Sequence, residues 1–209
     1  TSTGTLNDPI YNDLKRAAFE MNDIESVTIG EAVNGSENII ENSLYGIISK
    51  NSSFTLLNTE FQDIWDNATP HVEGSCIESE SDNDINDRTI TLGDGNNSGA
   101  NSFLRSMNGL IGTGEMNYSI KRNSFGTGNT TNRLREYCIK IINSGPKELI
   151  IQNINTFNDY TYGIWVENNR DFEQLLIKNN DFFNAETDFQ NFTGTAITAV
   201  AATPIVTNN

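Results

Sequence analysis

The residues best suited to chemistry in this chain are acidic and lie in one short stretch. Between positions 78 and 87, Asp and Glu alternate with Ser and Asn, and the carboxylates are Glu78, Glu80, Asp82, Asp84 and Asp87. Carboxylate and carbonyl oxygens are the ligands that Ca²⁺ prefers, so calcium is the candidate cofactor. The spacing matches neither the EF-hand loop nor the glycine-rich calcium repeat, and a solvated acidic turn is the simpler interpretation.

A second candidate set is aromatic, with one nearby cation. Its members are Trp65, Tyr160, Tyr162, Trp165 and Arg135. Proteins hold sugars by packing aromatic rings against them and fixing their hydroxyl groups with polar side chains. Strand alternation places Ile164 and Val166 on one face and Trp165 on the other, so an inward Ile164 means an outward tryptophan. We expect these residues to contact carbohydrate, with ordinary solvent exposure of Trp165 as the alternative.

The elements that position these side chains are predicted by a column of small and aliphatic residues. Pairs recur every 25 to 33 residues, at Gly46-Ile47, Cys76-Ile77, Gly109-Leu110, Cys138-Ile139, Gly163-Ile164 and Ala196-Ile197. Repetition at such a period is typical of a stacked repeat array, in which each coil packs only on its neighbours. Asn makes up 31 of the 209 residues, which favours a fold with many tight corners over long helices.

A second repeated pattern, Ile-x-Asn-Asn-x-Phe, precedes the pairs. Residues 120–125 and 177–182 carry it without gaps, 151–157 and 57–61 are looser copies, and 40–44 is a weaker one. The alternating part predicts a short strand with an inward aliphatic residue, and the Asn then turns the chain. Stacked Asn amides can hydrogen-bond along the axis, and the Phe rings can stack in the core.

The two patterns together resemble the right-handed parallel β-helix repeats of bacterial surface and secreted proteins, in the pectate-lyase-like superfamily. The resemblance covers about residues 38–200 and implies an all-β, right-handed parallel β-helix, or β-solenoid, of about six to seven coils. We expect a single domain over 1–209, with loop insertions at 66–100 and 126–136. Residues 10–22 fit either a helix or an N-terminal coil.

The two cysteines lie in the repeated column. One rung, that of Gly109, separates Cys76 from Cys138. At about 4.8 Å per strand their Cα atoms would be about 9.6 Å apart, beyond the roughly 7 Å limit for a disulfide. We therefore predict two buried free thiols.

The net charge and the hydropathy of the chain restrict the classes of partner that it can bind. The net charge of −15 comes from 13 Lys and Arg against 28 Asp and Glu, which argues against nucleic acid, because phosphate binding needs a basic surface. No apolar run approaches the roughly 18 residues that a membrane span requires. No signal peptide is visible at the start, and the last residues form no polar cap. We expect a segment of a longer chain, whose open ends continue in that chain or self-associate.

Catalytic motifs of the resembled superfamily are missing. Polygalacturonase-like members use an Asp-Asp pair, Gly-His-Gly and Arg-Ile-Lys. This chain has no Asp-Asp pair, its single histidine His71 lies between Pro70 and Val72, and Cys138 stands where the Arg before Ile139-Lys140 should be. A lone histidine beside a proline and two buried thiols also make a Ser-His-Asp or Cys-His set unconvincing.

Three functions follow as hypotheses. The first is a non-catalytic extracellular or cell-surface module for structure or adhesion, which contacts a polysaccharide or other surface glycan. The second is a polysaccharide lyase or glycoside hydrolase, which would require Asp159, Glu167, Arg122 and Arg135 to converge on one outer face. The third is a structural segment of a filament or phage tailspike.

Overall fold

The computed structural model describes residues 17–33, 37–66, 73–82, 88–126, 134–143, 148–158, 160–168, 174–183, 195–202 and 204–209, without the side chains of 134, 135 and 174. These residues form an all-β parallel solenoid, which confirms the predicted fold class. Short strands repeat in three columns, and strands of successive coils pair in parallel within each column. No helix in the described ranges is long and apolar enough to cross a membrane.

The first strand column carries the small–aliphatic pairs. Its strands are β1 (Ala17–Asn22), β4 (Tyr45–Lys50), β7 (Ser75–Glu80), β10 (Ser106–Thr113), β13 (Leu134–Ile142), β16 (Tyr162–Glu167) and β19 (Thr195–Val200). The register aligns one apolar residue per coil: Phe19, Ile47, Ile77, Leu110, Ile139, Ile164 and Ile197. Every pair singled out in the sequence therefore occupies the predicted position.

The second column forms a separate seven-stranded sheet. It contains β2 (Val27–Ile29), β5 (Phe54–Leu56), β8 (Thr89–Leu92), β11 (Asn117–Lys121), β14 (Glu148–Gln152), β17 (Gln174–Lys178) and β20 (Ile205–Thr207). Its inward aliphatic position is filled by Leu56 and not by Leu57, so the predicted alignment of 57–61 was one residue out. The reason is the corner: Asn58 adopts φ +47°, and the residue before it lies outside the aliphatic row.

The third column contains β3 (Asn38–Ser43), β6 (Thr59–Ile64), β9 (Ser102–Phe103), β12 (Ser124–Phe125), β15 (Thr156–Asn158) and β18 (Asp181–Phe183). The predicted aromatic stack is present, with ring centroids 4.6–5.2 Å apart, and consists of Phe61, Phe103, Phe125, Phe157 and Phe182. Ile40 pairs with Phe61 and so heads this stack, whereas the sequence had placed it in the aliphatic row. Its burial explains the exchange, because either side chain fills the same core position.

The number of coils and the nature of the insertions differ from expectation. The solenoid has about five turns, slightly fewer than the six to seven predicted. In the second column, five of the seven strands pair with a neighbour on each side, whereas the end strands β2 and β20 pair on one side only.

The segment 66–100 contains β7, β8 and a short 3-10 helix (Asn97–Gly99), so its described part belongs largely to the stack. Residues 17–22 of the ambiguous N-terminal segment are the strand β1, whereas 127–133 lie outside the described residues.

Asparagine is abundant because it makes the corners. After the first column, Asn51, Asn143 and Asn168 all adopt φ between +50° and +59°. After the second column, Asn153 and Asn179 do the same, at φ +63° and +53°. Asn tolerates this left-handed conformation better than most residues, so these coils turn sharply without glycine, whereas Gly93 and Gly114 make the corners after β8 and β10.

A second set of asparagines forms a buried ladder along the solenoid axis. The side-chain Nδ2 of Asn101 donates to Oδ1 of Asn123 at 2.8 Å, Asn123 donates to Asn155 at 3.1 Å, and Asn155 donates to Asn180 at 2.8 Å. Asn180 in turn donates to Asn209 at 3.0 Å. Each Nδ2 also donates to a backbone carbonyl of an earlier coil, such as Leu92 for Asn123. The ladder predicted from the repeated Asn is therefore confirmed.

Cys76 and Cys138 are both free and buried, as predicted. Burial raises the pKa of the Cys76 thiol to about 12 and raises that of Cys138 well above its ordinary value. Both thiols therefore remain protonated at neutral pH and act as small apolar side chains.

Gly112 gives the first prediction, because a Cβ at this position would overlap the hydroxyl oxygen of Tyr118. That hydroxyl lies 3.0 Å from the Ser79 hydroxyl inside the core. We expect Gly112→Ala to lower the free energy of unfolding by about 1–3 kcal/mol, measured by chemical denaturation. The double variant Gly112→Ala/Tyr118→Phe lacks the clashing oxygen. Its loss of unfolding free energy should therefore be smaller than the sum of the losses in the two single variants, and strict additivity would contradict this packing.

The asparagine ladder gives the second prediction. Asn123→Ala removes a buried amide and leaves the side chain and backbone N–H of Asn101 without their acceptor. We expect a loss of about 2–4 kcal/mol in unfolding free energy. The control is Asn143→Gly at an exposed corner with φ +59°, which glycine tolerates. Equal losses of unfolding free energy in the two variants would show that the hydrogen bonds of the ladder add no stability beyond that of an ordinary corner residue.

Candidate functional site

The outer face of the first column is set by an irregularity in its strands. Both members of a small–aliphatic pair can face the core: a Cβ at Gly46 would meet the Phe61 ring, and Ile47 is fully buried. The residue before the pair is buried in β4 and β7, whereas in β10, β13 and β16 it is partly exposed. In β13 and β16 that residue is tyrosine, Tyr137 and Tyr162, and the two pair with each other in the register.

The candidate site is an aromatic cluster of Tyr137, Tyr162 and Trp165. The tyrosine rings stack, with centroids 5.0 Å apart and planes 17° from parallel. The indole meets both rings edge-on, at 5.9 Å from Tyr137 and 5.1 Å from Tyr162, with interplanar angles of 81° and 82°. All three side chains are half-buried, so each retains a part of its surface for a ligand. Such edge and stacked contacts hold the rings in fixed orientations.

Two charged side chains complete the cluster. The Lys140 ammonium lies 4.3 Å from the Tyr137 ring centroid, a cation–π contact. The Trp165 indole Nε1 donates to Oε2 of Glu167 at 3.0 Å. The pKa of Tyr137 is raised, first by burial and then by the negative charge of Glu136. The cluster thus offers aromatic surface, one ammonium and one carboxylate within two neighbouring coils.

The structure brings together only part of the predicted carbohydrate-binding set. Tyr162 and Trp165 are in contact, and Trp165 points outward as the alternation predicts. Tyr160 is in the core instead, 3% exposed, with its ring edge-on to Phe182. Trp65 follows Ile64, which ends β6 and pairs with Ser106 at the start of β10. The backbone of Arg135 is in β13, and its side chain lies outside the description.

Sequence reasoning missed Tyr137. The signal was present, because a tyrosine precedes the small–aliphatic pair in both Tyr137-Cys138-Ile139 and Tyr162-Gly163-Ile164. Because the small–aliphatic pair was taken as the start of the strand, the residue that precedes it was not considered. Extending each repeat by one residue predicts that Tyr137 and Tyr162 are neighbours, but not that they are exposed, because Tyr45 before Gly46-Ile47 is buried.

The candidate calcium ligands are arranged as an ordinary strand and corner where they are described. Glu78 and Glu80 are in β7, and Asp82 follows it. Asp82 accepts a hydrogen bond from the Asn51 amide at 3.0 Å and lies 3.8 Å from the Lys50 ammonium. Within the described ranges, no three His, Cys, Asp or Glu side chains are grouped to hold a metal ion. Asp84 and Asp87 lie outside the described residues, so the calcium site stays a prediction.

The set required for a lyase or hydrolase is not assembled among the described residues. Arg122 is at the corner after β11 in the second column, where its Nε donates to Oδ1 of Asn97. Glu167 is in β16 in the first column and binds Trp165. These two residues therefore lie in different columns, while Asp159 and His71 lie outside the described residues.

Comparison with known proteins returns no relative. No family model, no curated protein and no solved structure matches the chain.

Tyr160 gives the third prediction, which concerns alkaline pH. Burial raises its pKa from 10.0 to about 12. Because the folded pKa is the higher one, the stabilisation is fully present below pH 10 and is lost as the pH rises from 10 to 12. Within that window the group lowers the unfolding free energy by at most about 1.4 kcal/mol per pH unit. Tyr160→Phe should make the pH dependence of unfolding shallower there, and an unchanged slope would place the Tyr160 hydroxyl in solvent.

Proposed function

We propose that the chain is a non-catalytic, extracellular or cell-surface β-solenoid module for surface structure or adhesion, and that it contacts carbohydrate through the aromatic cluster. The observation that carries this proposal is the fixed group of Tyr137, Tyr162 and Trp165 on an outer face. Aromatic rings beside a hydrogen-bonding carboxylate and an ammonium suit the apolar faces and hydroxyl groups of sugars.

The aromatic cluster exposes apolar surface to water when no ligand is bound. Three large rings that are partly exposed on a flat sheet are unfavourable for a folded monomer, since their apolar surface is worth about 25 cal/mol per Å² when buried. The network of ring contacts and the Trp165–Glu167 hydrogen bond hold the rings in place before any ligand arrives. Little side-chain entropy is then lost on binding, which favours recognition.

The remaining features support the same proposal. The resemblance to β-helix repeats of bacterial surface and secreted proteins in the pectate-lyase-like superfamily is the basis for the extracellular location. The net charge of −15 favours solubility and opposes association between copies. The absence of the superfamily's catalytic motifs from the sequence favours binding over cleavage, and a filament or tailspike segment would instead show polymerisation or trimerisation.

The fourth prediction tests carbohydrate binding. Retention of the purified chain is measured on a panel of neutral and acidic polysaccharides, both dissolved and as particles, with and without Ca²⁺. Reducing ends and unsaturated products are followed in the same samples. We expect retention on at least one polysaccharide without cleavage, and Trp165→Ala should weaken it at least tenfold, about 1.4 kcal/mol.

The matched control is Phe183→Ala, which removes an exposed ring, 51% accessible, from the outer side of β18 in the third column. This variant should bind as the wild type does. Equal weakening by the two variants would remove the aromatic cluster from the proposal. Cleavage of any polymer would overturn the non-catalytic assignment, and binding to none would overturn the function itself.

A further inference from the structure

Outward aliphatic residues lie near the aromatic cluster on the same face. Ile111 in β10 pairs with Lys140, which pairs with Trp165. Ile142 at the end of β13 pairs with Glu167. Their neighbours Leu110 and Ile141 are fully buried, so alternation directs Ile111 and Ile142 outward, where both are half-buried. We call the five side chains Ile111, Tyr137, Ile142, Tyr162 and Trp165 the apolar platform.

The apolar platform is flat and small. It spans three rungs and about five residues along the strands, which is roughly 14 Å by 17 Å, on the order of 240 Å². A stable protein interface needs about 800 Å² from each partner, so the platform falls well short of one.

The apolar platform is bordered by carboxylates. The Lys140 ammonium and the Glu167 carboxylate are both engaged with the rings. Glu136 precedes Tyr137 and acts on its pKa, and Glu78 on the outer side of β7 pairs with Ile111 in the register. Three carboxylates against one ammonium, in a molecule of charge −15, repel polyanions while leaving contact with uncharged polymers unaffected.

We propose that the apolar platform binds the flat face of a solid, uncharged polysaccharide and not a single dissolved chain; this inference rests on the proposed carbohydrate-binding function. A dissolved chain is flexible, and a flat patch covers only one side of it, so contact on that side must offset the whole entropy of ordering. In a solid the chains are already ordered side by side. The apolar platform then contacts several of these chains at once, across its full width of three coils.

The fifth prediction separates these two ligands. Depletion from solution is measured with particles of cellulose, chitin, mannan and xylan, and isothermal titration calorimetry uses the soluble hexasaccharides of the same four polymers. We expect saturable retention on at least one kind of particle and at least a hundredfold weaker binding of its hexasaccharide. Equal affinity for both forms would overturn the inference and leave carbohydrate binding intact, whereas retention on none of the particles overturns it outright.

Variants outside the aromatic cluster test the extent of the surface. Ile142→Asp and Ile111→Asp leave the three rings in place, yet each should lower retention on the particles at least tenfold. The matched control is Ile150→Asp, because Ile150 is a half-buried outward isoleucine of β14 in the second column. Unchanged retention in both platform variants, with loss in Trp165→Ala, would show that a single chain on the rings is the ligand.

A second copy of the chain is the competing occupant. Sedimentation velocity of the wild type and of Ile142→Asp should show monomers in both cases. A wild-type dimer that Ile142→Asp dissociates would assign the apolar platform to self-association and overturn the inference.

Discussion

From Asn101 onward, successive coils of this solenoid are tied together by asparagine amides, and the rest of the architecture depends on that link. Asn101, Asn123, Asn155 and Asn180 each satisfy one neighbour's donor and use the next neighbour's acceptor. A buried amide without partners is costly, so a slip of register in one coil would leave groups unsatisfied in two others. The ladder thereby fixes the register that also stacks the phenylalanines and aligns the aliphatic rows.

A fixed register has a direct consequence on the outside of the molecule. Because residues stack at one strand spacing, any outward residue type that recurs in neighbouring coils becomes a row with that spacing. Tyr137 and Tyr162 stack in this way, and Trp165 lies beside them because it occupies the next outward row of the same strand. The candidate site therefore needs no loop or pocket of its own, since a rigid core supplies the positioning.

Much of the fold was predictable because one coil contacts only its neighbours. The small–aliphatic pairs, the Phe stack and the Asn ladder are each repeated locally, so a pattern in the sequence maps onto a row in space. The errors arose where one residue shifts the pattern: Leu56 instead of Leu57, and Ile40 in an aromatic position. Corners with positive φ absorb such single residues, and their placement depends on the coil above and below.

The sequence by itself determined the all-β repeat, the parallel stacking, the buried free thiols and the outward direction of Trp165. Each follows from alternation within a strand or from the spacing between repeats. Only the tertiary structure decided that Tyr160 enters the core while Tyr162 leaves it, and that Tyr137 joins Tyr162 and Trp165. These outcomes depend on which residues of different coils meet, and adjacent inward residues at each small–aliphatic pair reverse the simple alternation from which a side chain's direction is predicted.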